Sequence, residues 1–513
     1  MVQNTVRPVH DTPLGKVHPY WARKPLNIVS AIVEELSNDG ELVADPFMGS
    51  GTIPFAALAA GRNAVGGDLS PLSVFLVRAL DQLSEHGEVL IPVLQELMAT
   101  FEEVVLPYLQ LRDGSTIERI RYEVSGSYAN GAFTLKPCEV ITKRRINGRW
   151  RQRRSVSVDV LNQLPDLPRQ EISTPIRFED YPLKPNSRIA IPEGATLADY
   201  FTSANQWAIN RYVELVQKSP YYSKYRESLL LPISAALPML RLSDKKASSQ
   251  WPYWRPRRDL TTRNPIIVLQ KKYEAIADYV DWANEVLSID SARGRASMEV
   301  LHVAAQELKE QIPDRRVNLV LTDPPYGDQV PYLEYSNLWA PLLGVSIASN
   351  ESDSELVVSS AKPGTKEAQT YQDKLAACLQ SCVGLLSGSG YVAWFYQDHK
   401  LANWSRLYTV VHSLGARIVG VLPMPKQRRS LKTVTTPNRT LDGDLLLIIA
   451  VGDVAEEETK VQSLRARIAG LTHENTYFGR YAEILTRALL SGEIVDLAAQ
   501  YDTVNEVMSG KDV

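Results

Sequence analysis

Two short stretches carry residue types that could do chemistry together. The first, Asp323-Pro324-Pro325-Tyr326, follows the apolar, β-rich run Val317-Asn318-Leu319-Val320-Leu321-Thr322. Two prolines after an acid can neither continue a strand nor enter a helix interior, so they fix a rigid elbow. That elbow offers a carboxylate, two backbone carbonyls and a phenol ring at one place. The second stretch, Asp45-Pro46-Phe47-Met48-Gly49-Ser50-Gly51-Thr52, lies between a short apolar strand at 41–44 and a helix at 53–60. Gly49 and Gly51 can take positive φ and let a ligand approach the backbone. Strand, glycine turn and helix open a doubly wound fold, whose ligand lies beyond the carboxyl end of the strand. Asp68 ends a second strand at 63–68. An acid there accepts hydrogen bonds from ribose hydroxyls, or it caps the helix that begins near Pro71.

The elements around these stretches must position them. Strand and helix alternate up to Asp68, and the alternation resumes at 317–322. It continues with helices at 331–343, 366–386 and 401–413, and with strands at 391–396, 417–422 and 445–451. Between lie about two hundred residues of helices, strand-like pieces and proline-rich joints. The polar tail after 455 reads as three helices. With 513 residues the chain is long enough for roughly two to four domains. Hydrophobic content of 44% and charged content of 22% are those of a globular protein. No apolar run reaches the length of a membrane span, and the first residues lack the apolar region of a secretory signal. Three scattered cysteines predict buried thiols in a reducing cytoplasm, with neither disulfide nor zinc site.

The net charge of −3 announces no nucleic acid, so any such partner must be held by local basic patches. One candidate runs from Lys143 to Arg154 and carries seven cations and no acid: Lys143, Arg144, Arg145, Arg149, Arg151, Arg153 and Arg154. Asn147-Gly148 in its middle predicts a tight hairpin turn. Such a hairpin suits phosphate contacts, though a solvated charged face has the same composition. The other candidate, Trp251-Pro252-Tyr253-Trp254-Arg255-Pro256-Arg257-Arg258, interleaves aromatics with cations. Arg255 and Arg257 could neutralise phosphates while the rings stack on bases, or the segment is a stiff linker.

Taken together, the glycine turn, Asp68 and the Asp-Pro-Pro-Tyr elbow resemble the S-adenosylmethionine-dependent amino-methyltransferases of DNA, which modify adenine N6 or cytosine N4. The segment His18-Pro19 with Lys24-Pro25 is similar to one these enzymes place just before the cofactor turn. The resemblance implies an α/β, doubly wound Rossmann-like methyltransferase sheet with a large inserted domain and a C-terminal helical extension. It implies S-adenosylmethionine as cofactor, held by His18, Lys24, Asp45, Phe47, Gly49, Gly51, Thr52 and Asp68. Asp323, Pro324, Pro325 and Tyr326 would be catalytic, with no metal. The expected units are 1–84 and 290–452 for the methyltransferase, 85–289 for target recognition and 453–513 for the extension. Expected partners are double-stranded DNA and a protein docked on the C-terminal helices. The setting would be restriction–modification in the cytoplasm. Asp rather than Ser at 323 favours adenine N6. Cytosine N4, an RNA guanine-N2 substrate and a non-catalytic binding subunit stay open as alternatives. The sequence shows no acid after a third strand for the cofactor's adenine; the loop expected there, Arg295-Ala296-Ser297, offers only Ser297.

Overall fold

In the computed structural model, the described residues are 6–9, 11–21, 23–127, 132–168, 175–183, 185, 191, 193–243, 259–287, 296–327, 332–345, 353–358, 368–425, 441, 443–468 and 476–509. Residues Arg255 and Arg257 and the loop at 295 lie outside them.

The chain forms a mixed α/β structure around a seven-stranded sheet. Its strands are β1 (Leu42–Asp45), β2 (Asn63–Asp68), β7 (Met298–His302), β8 (Val317–Thr322), β9 (Leu386–Tyr396), β10 (Arg417–Pro425) and β11 (Gly443–Val451). They lie in the order β7-β2-β1-β8-β9-β11-β10. The first five are parallel, and β11 pairs antiparallel with both β9 and β10. The strand order reverses between β1 and β8, which opens a crevice at their carboxyl ends. Asp45 closes β1 there, and Asp323 follows β8. Because β11 runs the other way, its first residues reach the same edge.

Both faces of the sheet are covered, which explains its unbroken apolar strands. Leu42, Ala44, Val320, Val392 and Trp394 face one layer, built from helices 368–385, 401–413 and 477–491. Val43, Leu319, Leu321, Ala393 and Phe395 face the other, built from α2 (Leu26–Leu36), α3 (Thr52–Ala59) and helix 457–467. The C-terminal helices therefore bury apolar faces against the sheet; Phe478, Tyr481 and Leu485 sit in its core.

Between β2 and β7 the chain builds a helical layer and a second sheet. The layer contains α4 (Pro71–Val105), α5 (Ser203–Lys218), α6 (Tyr222–Leu240) and α7 (Pro265–Val286). Strands β3 (Thr116–Ser127), β4 (Ala132–Ile146), β5 (Arg149–Val156) and β6 (Asp259–Arg263) form the antiparallel order β5-β4-β3-β6. Helix α4 crosses residue 85 with a kink at His86. Its residues share one core with α1 (Pro13–Val17), α5, α6 and α7.

Two features differ from the sequence reading. The third parallel strand is Met298–His302, so Ser297 precedes it, bonded to the Asn63 side chain at the opposite edge. The loop that does follow β7 contains Ala304, Ala305 and Gln306. The sequence pattern predicts a helix over 274–287, whereas α7 already starts at Pro265, where Asn264 caps the Ile266 and Ile267 N–H groups.

Candidate active site

A cleft opens at the carboxyl ends of β1, β2 and β8. Asp45, Phe47, Gly49, Thr52 and Asp68 line one side, and Asp323 and Pro325 the other. Tyr20, Trp21, Arg23 and Lys24 come from the arm before α2, Gln306 from the loop after β7, and Tyr332 from the segment after the elbow.

The glycine turn has the backbone its composition requires. Gly49 and Gly51 adopt φ of +51° and +81°. A Cβ on Gly51 would lie 2.9 Å from Val77 and 3.1 Å from Phe55, so the turn is also closed to side chains sterically. Asp68 holds this turn from beside: its carboxylate accepts the Gly49 N–H at 2.8 Å and the Ser70 N–H at 2.7 Å. Burial raises its pKa to about 6 against those bonds.

Asp45 is buried at 1% exposure. Its Oδ1 accepts from the Thr322 hydroxyl at 2.7 Å and from the Phe47 N–H at 3.1 Å. Its Oδ2 is buried with no hydrogen-bond partner. Burial pushes this carboxyl up to about 8. A buried acceptor without a donor is costly, and here it faces a cleft.

Across the cleft, Asp323 accepts the Tyr326 hydroxyl through Oδ1 and the Lys24 ammonium through Oδ2 at 2.9 Å. Lys24 also pairs with Asp444 at 2.8 Å and lies 3.2 Å from the Tyr326 oxygen. Burial disfavours the ammonium, but the two carboxylates outweigh it and raise its pKa. Burial raises Asp323 as well, and Lys24 works against that rise. The arrangement is a buried cation bridging two acids, one on the elbow and one at the start of β11. The elbow is held from below by the Tyr371 hydroxyl, which donates to the Pro325 carbonyl at 2.7 Å. Pro324 is buried.

Some expected residues do not reach the cleft. The His18 ring is buried, donating from Nδ1 to the Pro19 carbonyl at 2.8 Å and accepting at Nε2 from the Ser234 hydroxyl at 2.9 Å. Burial and nearby Lys272 lower it to about 3, so the imidazole is neutral. Tyr326 turns its hydroxyl to Asp323 and its ring edge-on to Tyr396, with centroids 6.3 Å apart. The aromatic wall of the cleft comes instead from Tyr20 and Tyr332, whose rings stack at 6.3 Å, with Trp21 beside them.

The basic stretch forms the β4–β5 hairpin, with Asn147 and Gly148 both at positive φ. Its cations divide. Arg144 pairs with Asp113, Arg145 with Glu102, and Lys143 and Arg153 with Glu118. Arg149, Arg151 and Arg154 are exposed, with no ion pair among the described residues.

Residues 3–74, covering the arm, the glycine turn, β2 and the start of α4, match the N6/N4 methyltransferase family model, described as DNA methylase. That match supports the N6/N4 DNA amino-methyltransferase family. No curated protein and no solved structure matches the chain. Among the described residues no group of His, Cys, Asp and Glu could hold a metal ion. No helix among them is long and apolar enough to cross a membrane.

Proposed function

We propose that this DNA methylase transfers a methyl group from S-adenosylmethionine to the exocyclic amine of a base flipped out of duplex DNA, with adenine N6 the target. The observation that carries the reading is the pairing, across one cleft, of Asp45 with an orphaned Oδ2 and of Asp323 on a proline-fixed elbow. The sheet order, with its reversal between β1 and β8, reads as a Rossmann-like methyltransferase sheet. Residues 85–289 then serve as the target-recognition insert.

The residues fit the cofactor. Asp45 Oδ2 is placed to accept from a cationic amino group, the donor it lacks. Gly49 keeps the turn open to the cleft, Gly51 supplies the positive φ that closes the turn, and Phe47 and Thr52 wall it. Asp68 keeps lone pairs for ribose hydroxyls beyond the two backbone bonds it accepts. Gln306, after β7, takes the place where an acid would meet the adenine ring. When bound, S-adenosylmethionine supplies a methyl group on a sulfonium.

The elbow addresses the amine. An exocyclic amine is a poor nucleophile because its lone pair is delocalised into the ring. Asp323 and the Pro324 carbonyl accept its two N–H bonds, drawing the nitrogen toward sp³ and freeing the lone pair. Lys24 keeps Asp323 ionised for this. A stacked base is out of reach in a duplex, so it is extruded, and Tyr20 and Tyr332 offer it ring faces. Acceptor placement and orientation carry most of such a displacement.

Methyl transfer to unmethylated duplex DNA tests the reading, with modified bases called by sequencing. Asp323→Ala should lose transfer by on the order of 10²-fold or more while keeping cofactor and DNA binding. Normal transfer by that variant removes Asp323 from the chemistry, and activity on RNA alone overturns the DNA assignment.

A further inference from the structure

A second cavity, of about 490 Å³, opens on the other side of the arm. His18 and Pro19 line it, whereas Tyr20, Trp21, Arg23 and Lys24 line the cleft. Five cations surround it: Lys16, Arg119, Arg263, Lys271 and Lys272. Of its two acids, Asp11 pairs with Lys16, one of those five, and Glu118 pairs with Lys143 and Arg153 while its charge also acts on Arg263. Arg119, Arg263, Lys271 and Lys272 have no carboxylate partner among the described residues. Arg119 and Arg263 are direct partners across β3 and β6, and like charges so placed repel. Arg263 donates to the Ser243 hydroxyl at 2.8 Å, and Lys272 only to the Val17 carbonyl at 3.4 Å. Burial, with Arg23 nearby, lowers Lys272 to about 8, and burial with Arg119 lowers Arg263. Arg119, Arg263 and Lys272, half-buried around one open space with exposed Lys271 at its edge, are an unfavourable arrangement that a bound anion would relieve. The remaining wall, from Ala235, Met239, Ile267 and Val268, is apolar. The space far exceeds one phosphate group and offers a ring a surface to lie on.

We propose that this cavity binds a phosphate-bearing nucleotide, with Arg119, Arg263, Lys271 and Lys272 on its phosphates and the apolar wall on its base. Two sources share that chemistry: a free nucleoside triphosphate, or a nucleotide of the DNA strand on which the methylase acts. The site is distinct from the Asp45–Asp323 cleft and does not depend on the catalytic roles given there.

Calorimetric titration of the full chain with ATP and with a short duplex tests the proposal, using wild type, Arg119→Ala and Lys272→Ala. Arg119→Ala should melt no lower than wild type, because it removes a repelling cross-strand pair. It should nonetheless bind its phosphate ligand about tenfold or more weakly, the effect of losing one charge-assisted hydrogen bond. Weakening confined to ATP assigns a free nucleotide; weakening confined to the duplex assigns the DNA strand. Equal binding of both ligands by wild type and both variants, or no binding of either, overturns the site. Absence of methyl transfer by the wild type, with its ATP binding intact and weakened in the variants, would count against the catalytic reading and leave this site standing.

Discussion

At the scale of single residues, Lys24 sets the charge balance of the cleft. Its ammonium lies within 2.9 Å of Asp323 and 2.8 Å of Asp444 and bridges the two carboxylates. Without it, Asp323 would lose its cation while keeping its burial and the nearby charge of Asp444, so its pKa must rise. The proposed reaction uses the ionised acid. Lys24→Met should therefore lower kcat at neutral pH and move the acidic limb of the pH–rate profile upward, whereas Lys24→Arg should restore much of both. A limb that stays in place in Lys24→Met would show that Lys24 is only structural. Asp45 gives a second pH signature. Its carboxyl, raised to about 8, is largely protonated at neutral pH, and a cationic ligand needs the carboxylate. Below that pKa, affinity for S-adenosylmethionine should thus rise with pH, by at most about tenfold per unit, and level off above it. Asp45→Asn should bind weakly and without this slope; an equal slope in the variant would assign the titration to Asp68 or another group. That Asp45, Gly49, Asp68 and Asp323 lie around one cleft was legible in the sequence, because each ends or follows a strand within a few positions of its motif. Asp444 was not, because it meets Lys24 across 420 positions and only folding brings them together. His18 was visible as a motif residue, but its direction was set by Ser234, 216 positions away.

At the scale of elements, the hairpin shows how charge runs mislead when counted. Seven cations in one stretch look like one patch, yet Lys143, Arg144, Arg145 and Arg153 are spent on Glu118, Asp113 and Glu102. The Arg145–Glu102 pair ties the hairpin to α4, and the Trp150 indole, donating to Gln270 at 2.6 Å, ties it to α7. What remains for a phosphate backbone is Arg149, Arg151 and Arg154. Each phosphate contact adds about 0.9 to the slope of log affinity against log salt. Replacing all three with alanine should weaken duplex binding and flatten that slope by up to roughly 2.7, as measured by titrations at several salt concentrations. An unchanged slope would return the hairpin to a solvated face. The turn itself was legible, since Asn-Gly is the pair that tolerates positive φ at both positions. Strand β7 was not: Met298–His302 is a short edge strand, partly exposed along its length, without the apolar run that marks its buried neighbours β1 and β8. Missing it misplaced the loop that now brings Gln306 to the cleft.

At the scale of the whole molecule, the insert and the cofactor half share a core. Helix α4 starts directly after the Asp68 turn, and its first turns, with Leu72, Phe75, Leu76 and Leu80, belong to one apolar cluster with Tyr212 of α5, Leu229 of α6 and Tyr279 of α7. Polar contacts stitch the same layers: the Tyr279 hydroxyl donates to the Leu80 carbonyl at 3.0 Å, and the Ser228 hydroxyl to the Ala79 carbonyl at 3.0 Å. From the chain after β8, the Trp339 indole donates to the Ser234 carbonyl at 2.8 Å. Chains of this length commonly melt domain by domain, each unit having its own core. Here α6 and α7 cannot leave without uncovering α4, and α4 cannot move without disturbing the turn that Asp68 holds. Calorimetry should therefore record the sheet and the α4–α7 layer melting in one transition, with a cofactor analogue raising both together. The β4–β5 hairpin is the exception. Near it, Leu111, Ile117 and Val140 form a small separate cluster, so its amides should exchange by local opening well before the global event. Hydrogen exchange separates the two behaviours. If α4, α6 and α7 lose protection in a transition of their own, below that of the seven-stranded sheet, the α4–α7 layer is an autonomous domain and the shared core does not couple it to the Gly49–Gly51 turn.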